Sequence, residues 1–171
     1  MSTADKNPRQ HSLRRLGALA HQTRASLRAA DRFVTQGGPQ HHDTASWLVC
    51  TAVEMSGEVA DDLDGLAKGL REAGSDAVRQ QALAPWRKTA HQLHAACKAA
   101  DVYLEQESRD DQDTGAWLVA SALSLADQLA GALDDGVGAW AAAEPAKRIA
   151  PVGATVGTAD ANLATARTVA G

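Results

Sequence analysis

One short stretch occurs twice in this chain, 70 residues apart: Asp43-Thr44-Ala45-Ser46-Trp47-Leu48-Val49 and Asp113-Thr114-Gly115-Ala116-Trp117-Leu118-Val119. The register holds well beyond the motif. Leu13, Ala20, His21, Gln22, Ala30 and Asp31 recur as Leu83, Ala90, His91, Gln92, Ala100 and Asp101, and Ala52, Ala60, Leu63 and Asp64 recur as Ala122, Ala130, Leu133 and Asp134. A fixed period of this length containing two helical patterns reads as a duplicated helical hairpin. Each hairpin alone would leave an apolar stripe in water, so the two are expected to close on each other. The reading is all-α: an up-down-up-down four-helix bundle from a tandem duplication, with a pseudo-twofold axis.

The boundaries follow from breakers and spacing. An arm over residues 1–8 precedes a bundle over 9–143, made of hairpins 9–74 and 76–143, and a low-order tail over 144–171 follows. Helix 1 carries Leu13, Leu16, Ala20, Thr23, Leu27, Ala30 and Val34 on one side and should run to Thr35, where Gly37-Gly38-Pro39 stops it. Asp43 is expected to cap helix 2, whose inward residues are Leu48, Ala52, Met55, Val59, Leu63, Leu66 and Leu70. Ser75 or Asp76 would cap helix 3, and Pro85 predicts a kink or a separate segment over 76–84 before Trp86, Ala90, Leu93, Cys97, Ala100 and Leu104 resume the seam. Helix 4 repeats helix 2 with Leu118, Ala122, Leu125, Leu129, Leu133 and Trp140.

Composition limits the function. With 171 residues, 44% hydrophobic and only 4% aromatic, the chain has enough apolar surface for one domain built on Ala and Leu. A formal charge of −4 argues against general affinity for nucleic acid or an anionic membrane. The opening residues lack an apolar signal core and Asp127 interrupts the longest apolar run, which points to the cytoplasm and away from a membrane. Cys50 and Cys97 stand at non-equivalent repeat positions, matching Ala120 and Leu27, and are expected to be free, buried thiols.

The repeated polar residues are the first candidates for a binding site: His21, Gln22 and Asp31 with His91, Gln92 and Asp101. Within one helix the His and Asp are ten residues apart, nearly three turns, so they would meet groups on neighbouring helices. Either they form two related polar pockets, or they hydrogen-bond across the bundle and set its register, the reading we favour. Trp47 and Trp117 either belong to a ligand-binding site or act as anchors closing the bundle end, the reading we favour. No Glu-x-x-His motif, Gly-x-Ser-x-Gly elbow or phosphate-cradling glycine loop occurs, so neither a di-iron centre nor nucleophilic catalysis is expected, and no cofactor is required.

An enzyme alternative rests on helix 2. Glu54, Glu58, Asp61 and Asp62 recur at spacings of three and four, so carboxylates project from adjacent turns, a pattern that suits a hydrated divalent cation. Ser56-Gly57-Glu58-Val59-Ala60-Asp61-Asp62-Leu63 resembles the acidic helix of the MazG-type all-α nucleoside triphosphate pyrophosphohydrolases, and Ala100-Asp101-Val102-Tyr103-Leu104 is similar to their second acidic motif. The resemblance implies Mg²⁺ held by Glu54, Glu58, Asp61, Asp62 and Asp101, polarising phosphates for attack by water. The chain departs from the family in having Lys98 three residues before Asp101, and Asp in the first motif where the family carries Glu. In the second repeat Glu54, Glu58, Asp61 and Asp62 become Ser124, Gln128, Gly131 and Ala132. A third class rests on Arg14, Arg15, Arg24, Arg28 and Arg32 of helix 1, which suit phosphates or an acidic partner, or equally the acidic helix of their own hairpin. The favoured reading is a cytoplasmic, non-catalytic bundle that binds a protein partner or a second copy of itself, with nucleic-acid association and pyrophosphohydrolysis as alternatives.

Overall fold

The computed structural model describes residues 8–74, 77–106 and 108–142, and the side chains of 12–38, 40–74, 77–106 and 108–136 within them. Four helices fill this span: α1 Pro8–Gln36, α2 Pro39–Glu72, α3 Ala77–Leu104 and α4 Arg109–Ala142. The first and last residues of α4 each lie 70 positions after those of α2. Each helix packs on its two neighbours round a ring, α1 on α2, α2 on α3, α3 on α4 and α4 on α1. Cross-contacts fix the directions. His21 meets Asp134 while Arg28 meets Asp127, and Arg87 meets Asp64 while His94 meets Ser56, so both interfaces run antiparallel. The chain is an all-α four-helix bundle.

The core forms two layers, and all four helices contribute to both. The larger holds Leu13, Leu16 and Leu27 of α1, Val59 and Leu63 of α2, Leu83, Leu93 and Cys97 of α3, and Leu129 and Leu133 of α4. The smaller, at the end where α2 and α4 begin, joins Ala30, Ala45, Val49, Ala100, Leu104 and Val119. Small residues there let the helices approach closely. At buried Gly115 an added Cβ would lie 2.9 Å from Leu104 Cδ2 and 3.1 Å from the Leu104 amide nitrogen, so only glycine fits. Two buried hydroxyls are satisfied locally: Thr23 donates to the Leu19 carbonyl at 2.9 Å and Ser56 to the Val53 carbonyl at 3.0 Å.

Several local expectations are corrected. Asp43 does not cap α2, because the helix begins four residues earlier at Pro39, with Gly38 at φ 98° before it and no side-chain cap. A proline needs no amide partner in a first turn, so Gly37-Gly38-Pro39 both ends α1 and starts α2. Asp113 likewise lies inside α4, which opens at Arg109. Over the described residues 77–84 there is no separate segment: α3 runs unbroken through Pro85. Pro85 sits on the exposed side, where the carbonyl that loses its amide can turn to water. The inward face of α2 is rotated slightly from the one expected. Ala45, Val49, Ser56 and Ala67 are buried, whereas Leu48, Met55 and Leu66 are half-buried at its edge. Cys97 is buried as expected but Cys50 is exposed, on the outer side of α2. The caps Ser75 and Asp76, the Trp140 side chain, the arm up to residue 7 and the tail from 143 lie outside the described residues.

Candidate functional site

The repeated histidines find carboxylates that recur in the same register. His21 Nε2 of α1 lies 3.0 Å from both carboxylate oxygens of Asp134 on α4, and His91 Nε2 of α3 lies 3.2 Å from Asp64 Oδ2 on α2. His21 and His91 are 70 residues apart, and so are Asp64 and Asp134. The two clasps are therefore equivalent across the bundle, each tying one hairpin to the other. Asp64 also accepts a 2.6 Å hydrogen bond from Arg87 Nε, and that guanidinium holds its carboxyl below the usual range, with His91 adding to the effect. Repeat one has Gly17 where Arg87 stands, so the arginine is added to the Asp64 clasp and has no counterpart at Asp134. Asp31 and Asp101 are half-buried further along α1 and α3 and take no part in the clasps, while Gln22 and Gln92 are exposed. The His, Gln and Asp of each repeat do not come together as two related pockets; the histidines instead bond across the bundle to carboxylates of the other hairpin. The recurrence of Asp64 as Asp134 was the signal for the true partners.

A second polar cluster breaks the repeat. His94 Nδ1 lies 3.1 Å from the Val53 carbonyl and 3.2 Å from Ser56 Oγ, and its ring covers Gly57, where a Cβ would come within 3.2 Å of Cε1. With a carbonyl beside it, Nδ1 carries the proton and donates. Ser56 and the neighbouring Cys97 are wholly buried, and burial pushes the Cys97 thiol up to about 11, with its hydrogen bond to Ser56 acting the other way. The thiol is protonated at neutral pH and the serine is shut off from solvent. This cluster closes the α2–α3 interface, and neither the protonated thiol nor the buried serine is exposed as a nucleophile. The equivalent position in the other repeat holds Arg24 for His94, Ala126 for Ser56 and Leu27 for Cys97.

The carboxylates of α2 turn largely to α1 and to solvent. Arg15 reaches Glu58 at 3.0 Å and Asp62 at 3.6 Å, while Glu54 and Asp61 are exposed. The basic helix therefore complements acidic α2 within its own hairpin, and Arg24 and Arg28 extend the pattern to Asp127 of α4 at 3.7 and 3.3 Å. Asp101 stands seven residues beyond His94 on antiparallel α3, roughly 10 Å toward the start of α2 and away from Asp61 and Asp62. Desolvation raises its pKa, with Glu105 adding to the rise. Among the described residues no three His, Cys, Asp or Glu side chains gather in a way that suits a metal ion.

The tryptophans differ most from expectation. Trp47 and Trp117 do not close the bundle end: each is 68% exposed. The reason is helical phase. Trp47 is two residues past buried Ala45 and two before buried Val49, which turns it to the outside of α2, and Trp117 stands in the same relation to Gly115 and Val119 on α4. Each lies eight residues beyond Pro39 or Arg109, roughly 12 Å down its axis, so the two indoles sit at one height on opposite sides of the ring. Above them, a cavity of about 570 Å³ opens among His42, Asp43, Ser46, Leu104, Glu105, Gln106 and Gln112. None of the candidate binding or metal-site residues lines it, although Asp43 and Leu104 do. By length and composition, 109–136 of α4 is apolar enough to cross a membrane; Val119, Ala126, Leu129 and Leu133 face the core, and 33% of its most apolar window is buried. Comparison with protein-family models, curated proteins and solved structures finds no match.

Proposed function

We propose that this chain is a non-catalytic helical-bundle module of the cytoplasm that binds a protein partner. The supporting observation is the exposed pair Trp47 and Trp117. An indole left mostly in water on a rigid helix forgoes on the order of 2 kcal/mol of burial, and tryptophan is the residue type that most often recovers such a loss in an interface. The exposed Cys50 thiol suits a reducing compartment.

The test uses Trp47→Ser and Trp117→Ser, singly and together, in the cell of origin. Both side chains lie outside the core, so the variants should melt within a few degrees of the parent. In-cell crosslinking should recover a protein with the parent chain, and purified components should reproduce the complex and its loss in the variants. An identical crosslinking pattern for the parent and the double variant would defeat the reading. Magnesium-dependent release of pyrophosphate from a nucleoside triphosphate, lost in Glu58→Gln, would replace it with the enzyme alternative.

A further inference from the structure

We propose that the outer face of α4 is where two copies of this chain join, antiparallel, about a twofold axis near Ser124. This rests on the interaction reading and names its partner. Between Thr114 and Ala132 the helix carries a single charge, Asp127, and that carboxylate is turned toward α1 and held by Arg24 and Arg28. What remains on the outside is Trp117, Ala120, Ser124, Gln128 and Gly131, all exposed and uncharged. The matching face of α2 carries Glu54, Glu58 and Asp61 at the register positions of Ser124, Gln128 and Gly131. Two α2 faces brought together would set carboxylates against their own copies in a chain of net charge −4, and like charges across an interface are strongly unfavourable. Two α4 faces meet no such opposition across their centre. Of the two tryptophan-bearing faces, only that of α4 can pair with itself.

Shape points the same way. Trp117 and Gly131 are 14 residues apart, close to four helical turns, so they share the outer face. In an antiparallel pairing centred on Ser124, Trp117 of one copy stands over Gly131 of the other, and the twofold axis makes this contact twice. Nothing lies within 4 Å of the place a Gly131 Cβ would take, so the bundle itself does not require a glycine there. Ala120 then opposes Gln128, again small against large. Asp113 and Asp135 oppose each other one turn outside these contacts, at an exposed rim where solvent and salt screen a like-charge pair.

Sedimentation velocity of the full chain, from micromolar to hundreds of micromolar, tests this. The parent should double in mass with concentration. Ser124→Glu with Gln128→Glu, which restores the charges of α2, and separately Gly131→Asp, should each weaken dimerisation about tenfold or more, the effect of a lost interface hot spot. Circular dichroism should stay unchanged, and Trp47→Ser should dimerise like the parent. A parent that stays monomeric throughout overturns the proposal and leaves the wider reading to its own crosslinking test. A dimer that survives both α4 variants also overturns it, and loss in Trp47→Ser would move self-association to α2.

Discussion

Cys97 and Cys50 show how strongly position on a helix governs chemistry. Both are free, but one is buried in the core and the other is open to water. A thiol reagent should therefore modify one cysteine in the native chain and the second only on unfolding, and Cys50→Ser should abolish the fast phase. Burial moves Cys97 from its ordinary 9.0 to about 11. An acid whose folded pKa is raised contributes stability that is complete below the unfolded value and fades above it. Stability should thus fall between about pH 9 and 11, by on the order of 2 kcal/mol, with Cys97→Ala losing that slope in a urea titration. Asp64 has the opposite sign. Arg87 and His91 lower its pKa, so its contribution is complete above 3.8 and is lost as pH falls through the lowered value. The pair is partly exposed, which keeps the effect below about 1 kcal/mol, and Asp64→Asn should flatten that acid limb. The helical phase that buries Cys97 was legible from the spacing of Leu93, Cys97 and Ala100. The exposure of Cys50 and Trp47 was not, because an apolar residue one position off a seam can lie on either edge of it, and the rotation of α2 decided which.

The helices were legible as units because each carries a long apolar pattern with glycine or proline punctuation beside it. Their ends were less so. Asp43 has the chemistry of a cap, but Pro39 offers an earlier start at no loss of hydrogen bonding, and the earlier start adds a turn of helix. The two hairpins fill equivalent positions with different side chains. Trp86 of α3 packs over Gly136 of α4, and a Cβ at Gly136 would overlap the indole. The corresponding positions in the first hairpin hold Leu16 and Leu66. A large and a small residue thus replace two medium ones, and such exchanges conserve volume only as a pair. Gly136→Leu alone should destabilise the chain by about 1–3 kcal/mol through overpacking, even though leucine is the better helix former by close to 1 kcal/mol. Trp86→Leu alone leaves a void and should also destabilise. The two together rebuild the first hairpin's contact, so urea midpoints of the four proteins should show the double variant to be more stable than the sum of the single losses predicts. Strict additivity would mean that Trp86 and Gly136 are not coupled.

Because every helix contributes to both core layers, neither hairpin has an interior of its own. Leu13, Leu16 and Leu27 of α1 need Leu129 and Leu133 of α4 as much as they need Val59 and Leu63 of α2, and the small layer closes only when Val49 and Val119 are both present. The two histidine clasps, His21 on Asp134 and His91 on Asp64, join α1 to α4 and α2 to α3, which are the contacts made between hairpins. This sharing, the part of the architecture most legible in the 70-residue register, has a thermodynamic consequence. Opening one hairpin exposes the apolar stripe of the other, so no half-folded state is stable and unfolding should be two-state. In urea, helicity followed by circular dichroism and tryptophan fluorescence should fall along one curve with one midpoint. Weakening either hairpin, by Leu27→Ala in α1 or Leu129→Ala in α4, should move both signals together by the 2–5 kcal/mol typical of a buried leucine deletion. Two separated transitions, with Leu27→Ala shifting only one of them, would mean that the hairpins fold independently and that the common core is not what holds the bundle together.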